Sequence, residues 1–142
     1  MGAVTTMNIL DGEDTPVTRV FEPVTVGVSS AAWETQTDPY VGRNKIVVSH
    51  AYPKGPPSRD GSGRNIKVMV RLETPILEPI GTETASGILP TATVGYRPQC
   101  EIKFTLPERS TAQDRENLRT LLRNLLGHAR VIEAVDEFSF PF

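Results

Sequence analysis

The chain has 142 residues, 38% of them hydrophobic and 23% charged, with a formal net charge of −2 and a single cysteine. That length suits one domain (1–142) with a modest core, and no run of about 18 apolar residues is available to span a bilayer. Met1–Leu10 lacks the basic start and apolar stretch of a signal peptide, and lone Cys100 leaves no partner for an internal disulfide and no cysteine cluster for a metal. These features predict a soluble protein suited to a reducing cytosol.

The first elements are short and extended. Met7–Leu10 and Val17–Phe21 flank Asp11-Gly12, a hairpin signal, although the loop is longer than the tight two-residue type. Val24–Val28 and Ala31–Glu34 form a second short pair, with Trp33 as a core or interface anchor. Asn44–His50 is a better strand. Ala51–Arg64 follows as a loop, because Pro53, Gly55, Pro56, Pro57, Gly61 and Gly63 cannot continue a ladder. Asn65–Glu73 is the next strand. Thr74–Ala92 holds Pro75, Pro79, Gly81, Gly87 and Pro90, a loop long enough to need a function of its own. Thr93–Leu106 is the last strand expected. Alternation puts Ile46, Val48, Ile66, Val68, Val70, Leu72, Cys100, Ile102, Phe104 and Leu106 on one face, with Cys100 a buried small hydrophobe. The opposite face is polar and partly basic.

A helix then begins, capped by Ser110 or Thr111, with Gln113 or Asp114 completing a capping box. Leu118, Leu121, Leu122, Leu125 and Leu126 form one apolar stripe, and Gly127 stands at the C-cap. A shorter helix over Ala129–Val135 places Val131, Ile132 and Val135 together, and the aromatic tail from Phe138 to Phe142 is expected to dock. Strands first and helices last indicate an α+β fold with an antiparallel sheet at 1–106, helices at 110–135 and a tail at 136–142.

Size bears on assembly. A helix of about 14 residues is roughly 21 Å long and about 10 Å wide, whereas five or six strands span roughly 24–29 Å. One long helix and one short one cover that sheet poorly. Burying the five leucines against a second copy contributes roughly 7–15 kcal/mol before entropy costs. A monomer that packs both helices on its own sheet remains the alternative.

Net charge hides a strong asymmetry. Between Gly42 and Leu72 stand Arg43, Lys45, Lys54, Arg59, Arg64, Lys67 and Arg71 against Asp60 alone. The first forty residues hold Asp11, Glu13, Asp14, Glu22, Glu34 and Asp38 against Arg19 alone. Phosphate affinity follows local basic density, so a basic middle can bind RNA in a near-neutral chain. Chance clustering on solvated strands explains the same pattern.

Catalytic chemistry has little support. His50 and His128 belong to no metal-ligand spacing or triad and read as surface residues. Asp60-Gly-Ser-Gly-Arg64 lacks the Lys-Ser/Thr of a phosphate loop. No enzyme activity, cofactor or metal is expected.

The stretch Glu101-Ile-Lys-Phe-Thr-Leu-Pro-Glu-Arg-Ser-Thr-Ala-Gln-Asp-Arg-Glu-Asn-Leu-Arg-Thr-Leu-Leu-Arg-Asn-Leu-Leu resembles the last strand and long helix of levivirus coat proteins, the shell subunits of single-stranded RNA bacteriophages, closest to the Q-beta type. Val131-Ile-Glu-Ala-Val-Asp and the aromatic end resemble that family's second helix and C-terminus. Asn65-Ile-Lys-Val-Met-Val-Arg resembles its RNA-facing strand, Asn44-Lys-Ile-Val-Val-Ser the strand before it, and Asp11-Gly12 its N-terminal hairpin. The resemblance implies an intertwined dimer with a continuous ten-stranded sheet, built into an icosahedral shell around genomic RNA. It implies loop contacts at the symmetry axes by 74–92, and a dimer that binds an RNA hairpin to repress replicase translation and direct packaging. Further implied are the phage maturation protein as a partner, residence in the virion and synthesis in the bacterial cytoplasm.

Carried onto this sequence, the RNA face is Lys45, Val47 and Ser49, then Asn65, Lys67, Met69 and Arg71, then Gln99, Glu101 and Lys103. The dimer interface is Leu118, Leu121, Leu122, Leu125, Leu126, Val131, Ile132 and Val135. Three departures stand out. Gln99 occupies the place of a base-stacking tyrosine, with Tyr96 nearby and Pro98 a candidate bulge; Met69 replaces a polar residue; and 74–92 has no cysteine for cross-linking. A small dimeric RNA-binding regulator that builds no shell is the competing reading, although it has no use for an apolar tail or a long proline-rich loop.

Overall fold

The computed structural model describes residues 3–37, 39–54, 64–78, 87 and 91–139. These fall in two compact units. The first holds the strands and draws on residues up to Lys54 together with Ile66–Thr105; the second holds Arg64, Asn65 and the chain from Leu106 onward.

Six strands make the main sheet: β1 (Met7–Leu10), β2 (Thr18–Val26), β3 (Ser30–Thr35), β4 (Lys45–Ala51), β5 (Asn65–Glu73) and β8 (Gln99–Pro107). They lie in the order β1-β2-β3-β4-β5-β8, so β1 and β8 are the two edges. The four pairings from β1 to β5 are antiparallel. Asp11 closes the first hairpin. Its Oδ1 accepts the Val17 N–H at 2.9 Å and its Oδ2 accepts Arg19 Nε–H at 2.7 Å. Those bonds, led by the Val17 N–H, hold the Asp11 carboxyl below the ordinary aspartate range.

Strand β2 differs from expectation. Val17–Phe21 and Val24–Val28 read as separate segments, yet β2 runs unbroken from Thr18 to Val26. Pro23 cannot donate to a ladder, and the register with β3 shifts between Pro23 and Thr25, so a bulge absorbs what a strand break would have. The core of this unit centres on Phe21 and Ile46, each buried to within about 6% of full exclusion from solvent. Buried Thr35 is satisfied: its hydroxyl accepts the Asn44 N–H at 3.0 Å. Trp33 is half-buried and donates from Nε1 to the Thr5 carbonyl at 2.9 Å, pinning the N-terminal segment.

The expected last strand over 93–106 is two strands. β7 (Val94–Tyr96) pairs with β6 (Ile76–Leu77) in a separate two-stranded sheet, and β8 starts only at Gln99. Pro98 interrupts the ladder, and its carbonyl accepts the Thr74 N–H at 2.9 Å. The stretch 74–92 is therefore not without structure, since β6 lies within it; residues 79–86 and 88–90 lie outside the described residues, as do 55–63 of the proline-rich loop. Cys100 is exposed, contrary to the expected burial: it stands near the start of an edge strand, one side of which has no neighbouring strand among the described residues.

In the second unit, α1 (Ala112–Leu126) starts at Thr111 with a complete capping box. The Thr111 hydroxyl accepts the Asp114 N–H at 3.2 Å, and the Asp114 carboxylate accepts the Thr111 N–H at 3.1 Å. Hydrogen bonding of the Asp114 carboxylate to the Thr111 side chain, and then to the Thr111 backbone N–H, holds its pKa below the ordinary aspartate value. At the other end Gly127 is the C-cap, but with φ −88° and ψ 0°. Its position matches the reading and its reason does not, because no left-handed conformation calls for glycine there. His128 then caps α2 (Ala129–Asp136), its Nδ1 accepting the Arg130 N–H at 3.3 Å. Phe138 is exposed with φ 53°, and the remainder of the tail from residue 140 lies outside the described residues.

Candidate nucleic-acid interface

Register decides which side chains share a face. Across β4 and β5, Lys45 stands opposite Glu73, Val47 opposite Arg71, Ser49 opposite Met69 and Ala51 opposite Lys67. Directly opposed residues point to the same side of a sheet. Lys45, Val47, Ser49, Lys67, Met69 and Arg71 therefore form one surface, extended through β3 by Glu34 opposite Lys45 and Ala32 opposite Val47. On β8, Arg71 Nη2 donates to Gln99 Oε1 at 2.7 Å, which puts Gln99 on the same side. Alternation adds Glu101 and Lys103. Asn65 opens β5 with the same parity and belongs to the second unit.

Burial and pairing grade these residues. Val47, Ser49, Asn65 and Met69 are half-buried and present partial edges, whereas Lys45, Lys67, Arg71, Gln99, Glu101 and Lys103 are exposed. Lys45 lies 3.1 Å from Glu34, and Arg71, bonded to Gln99, also lies 4.0 Å from Glu73. Among the described residues, Lys67 and Lys103 make no ion pair. A phosphate meeting these two ammonium groups displaces only water and counterions. Gln99 orients a guanidinium here and offers no ring to stack on. Tyr96 is exposed but sits on β7, in the smaller sheet.

Sequence reasoning missed Tyr40 and Arg97 beside this face. Tyr40 belongs to a 3-10 turn, Tyr40–Gly42, that no periodic signal announces, and Arg97 reaches Glu73 at 3.7 Å from the break between β7 and β8.

The expected interface residues lie on α1 and α2. Leu118, Leu121, Leu125, Leu126, Ile132 and Val135 are between 43% and 68% exposed, and Leu122 and Val131 are half-buried. Neither helix has a buried residue.

The family model for levivirus coat protein matches residues 2–142. The chain belongs to the levivirus coat protein family. Among solved structures, this coat protein is similar to the virus-like particle of bacteriophage ESE058, at 28% identity and TM-score 0.87, over 99% of this chain and 100% of that one. It is also similar to the virus-like particle of bacteriophage NT-214, at 23% identity and TM-score 0.80 over 99% and 100% of the chains. The capsid of bacteriophage GA shares the fold at 18% identity and TM-score 0.69, over 95% of each chain. No curated protein sequence matches. A coat protein is a structural shell subunit, not an enzyme, and its antiparallel sheet followed by two helices is the architecture those particles share.

Proposed function

We propose that the coat protein works as a dimer whose two sheets join edge to edge along β8, with the helices of each copy lying across the other's sheet. The observation that carries this reading is the open edge of β8, nine residues long with no strand beyond it among the described residues. A long unprotected edge is a liability unless another strand covers it. The exposed leucine stripe of α1 supports the same partner, since a helix with no buried residue gains little from packing until a second surface arrives.

On the surface of Lys45, Lys67, Arg71 and Lys103, the dimer binds single-stranded genomic RNA and, more tightly, an RNA hairpin. Lys67 and Lys103 take phosphates, and Asn65 reads an unpaired base edge. Hairpin binding represses replicase translation and marks the genome for packaging, with the maturation protein joining the shell. The subunit is made in the bacterial cytoplasm and ends in the virion.

Electron microscopy of the purified chain, with sequencing of co-purified RNA, tests both halves. Uniform closed particles enriched in one hairpin-bearing RNA are expected. Closed particles without RNA selection would remove the hairpin role, and dimers alone at every salt concentration would favour a regulator that builds no shell.

A further inference from the structure

Where the polar face ends, beside Lys45 and Glu73, the surface dips into a cavity of about 300 Å³ lined by Glu34, Tyr40, Arg43, Lys45, Glu73 and Arg97, among others. From this geometry we infer that the cavity is a nucleotide subsite, taking one unpaired base with its phosphate from single-stranded RNA. The inference rests on the reading that the polar face binds RNA, and extends that face beyond the strands.

Charge is the first support. Glu34 is approached by Lys45 at 3.1 Å and Arg43 at 3.9 Å, and Glu73 by Arg97 at 3.7 Å and Arg71 at 4.0 Å. Of these, Lys45, Arg43 and Arg97 line the cavity with the two carboxylates, so among its described lining residues cations outnumber acids by one. At 3.7 Å the Arg97 contact is an attraction between charges and too long for a hydrogen bond, so its donors remain able to fork onto a phosphate. Its side chain is 61% exposed.

Tyr40 is the second. Its side chain is largely exposed, at 74%, which leaves the ring open to a stacking partner. The backbone beneath it is fixed: Gly42 N–H donates to the Pro39 carbonyl at 3.0 Å and Arg43 N–H to the Tyr40 carbonyl at 3.2 Å. The turn also packs close on β6, where a Cβ at Gly42 would stand 3.0 Å from Leu77 Cδ1. A ring on a rigid turn at the mouth of a cationic cavity suits the stacking-plus-phosphate recognition used for unpaired nucleotides, and does not require a particular base.

The test is fluorescence anisotropy of a labelled oligoadenylate with the purified full chain across a salt series. Tyr40→Ala is expected to weaken binding about tenfold, while Tyr40→Phe, which keeps the ring, stays near wild type. Arg97→Gln is expected to lower the salt slope by about 0.7, the share of one phosphate contact on a single strand. Lys67→Ala, on the sheet itself, separates the two readings. If Lys67→Ala weakens binding and both cavity variants bind as wild type, the subsite is refuted and the RNA face stands. If Lys67→Ala too is unchanged, or the wild-type chain binds no oligoadenylate, the RNA face fails and the subsite with it. If Tyr40→Ala abolishes particles while oligoadenylate affinity is unchanged, the cavity is a contact between copies, and the inference is overturned.

Discussion

The strand unit and the helical unit of this coat protein draw their order from different sources. In the strand unit, long-range pairing organises everything: β1 to β5 pair antiparallel with one register shift, at Pro23, Phe21 and Ile46 are buried, and buried Thr35 has its hydrogen bond from Asn44. In the helical unit the organising bonds are local: the Thr111–Asp114 capping box, the His128 cap and the Arg130–Glu133 pair at 3.3 Å. Its apolar side chains stay largely exposed. A sheet cannot exist without bringing distant segments together, whereas a capped amphipathic helix can form first and find its burial later. The difference teaches that a helix can be locally correct, capped and in register with its own turns, while its apolar stripe stays open to solvent.

That comparison can be broken by moving the burial. Leu121→Asp puts a charge on the most exposed leucine of the stripe. If the stripe is covered in the shell, burying an unpaired carboxylate costs several kcal/mol and particles should vanish from size-exclusion chromatography, while the circular dichroism of the helices persists. Intact particles would show that the stripe is not an interface. Next in size, Thr111→Ala removes the hydroxyl half of the capping box, with an expected loss of about 1 kcal/mol in denaturant unfolding. An unchanged midpoint would mean that the helix owes its start to tertiary packing.

For the strand unit, Asp11 supplies a pH handle. Its folded-state pKa is depressed, so its contribution is fully present above the ordinary aspartate value of 3.8 and is lost as pH falls through the lower folded value. Asp114 follows the same sign. The thermal midpoint of Asp11→Asn should therefore lie below wild type at neutral pH and converge with it as the solution is acidified below about pH 4. A gap that persists through that window would assign the effect to geometry and not to charge. The smallest effect is expected at Gly127→Ala. With φ −88° and an added Cβ at 3.6 Å from the Asn124 carbonyl, alanine fits, and the stability change should stay within about 0.5 kcal/mol. A loss well above that would restore a conformational need for glycine at this cap.

Much of the fold could be read in advance. Strands β1 and β5 match the expected bounds residue for residue, and α1 begins and ends where the capping signals stand. Of the residues expected to face RNA, Lys45, Val47, Ser49, Lys67, Met69, Arg71 and Gln99 share one side of the sheet, because alternation is a property of any strand. What escaped was tertiary. The bulge that carries β2 through Pro23, the pairing of Ile76–Leu77 with Val94–Tyr96 and the exposure of Cys100 each depend on which neighbour a segment meets. The ion pairs that, among the described residues, occupy Lys45 and Arg71 but not Lys67 and Lys103 were equally invisible in one dimension.

By itself, the order of residues determined the periods and the punctuation of this protein. Alternation set the strand faces, a leucine stripe and a capping box set the helix, and the ordered set of segments pointed to a coat protein. Only the tertiary structure decided that β8 lies at an edge of the sheet and that Tyr40 and Arg97 line one cavity at the end of the polar face. The physical reason is range: periodicity and caps are set by bonds within a few residues, whereas edges, bulges and cavities arise from contacts between segments far apart along the chain.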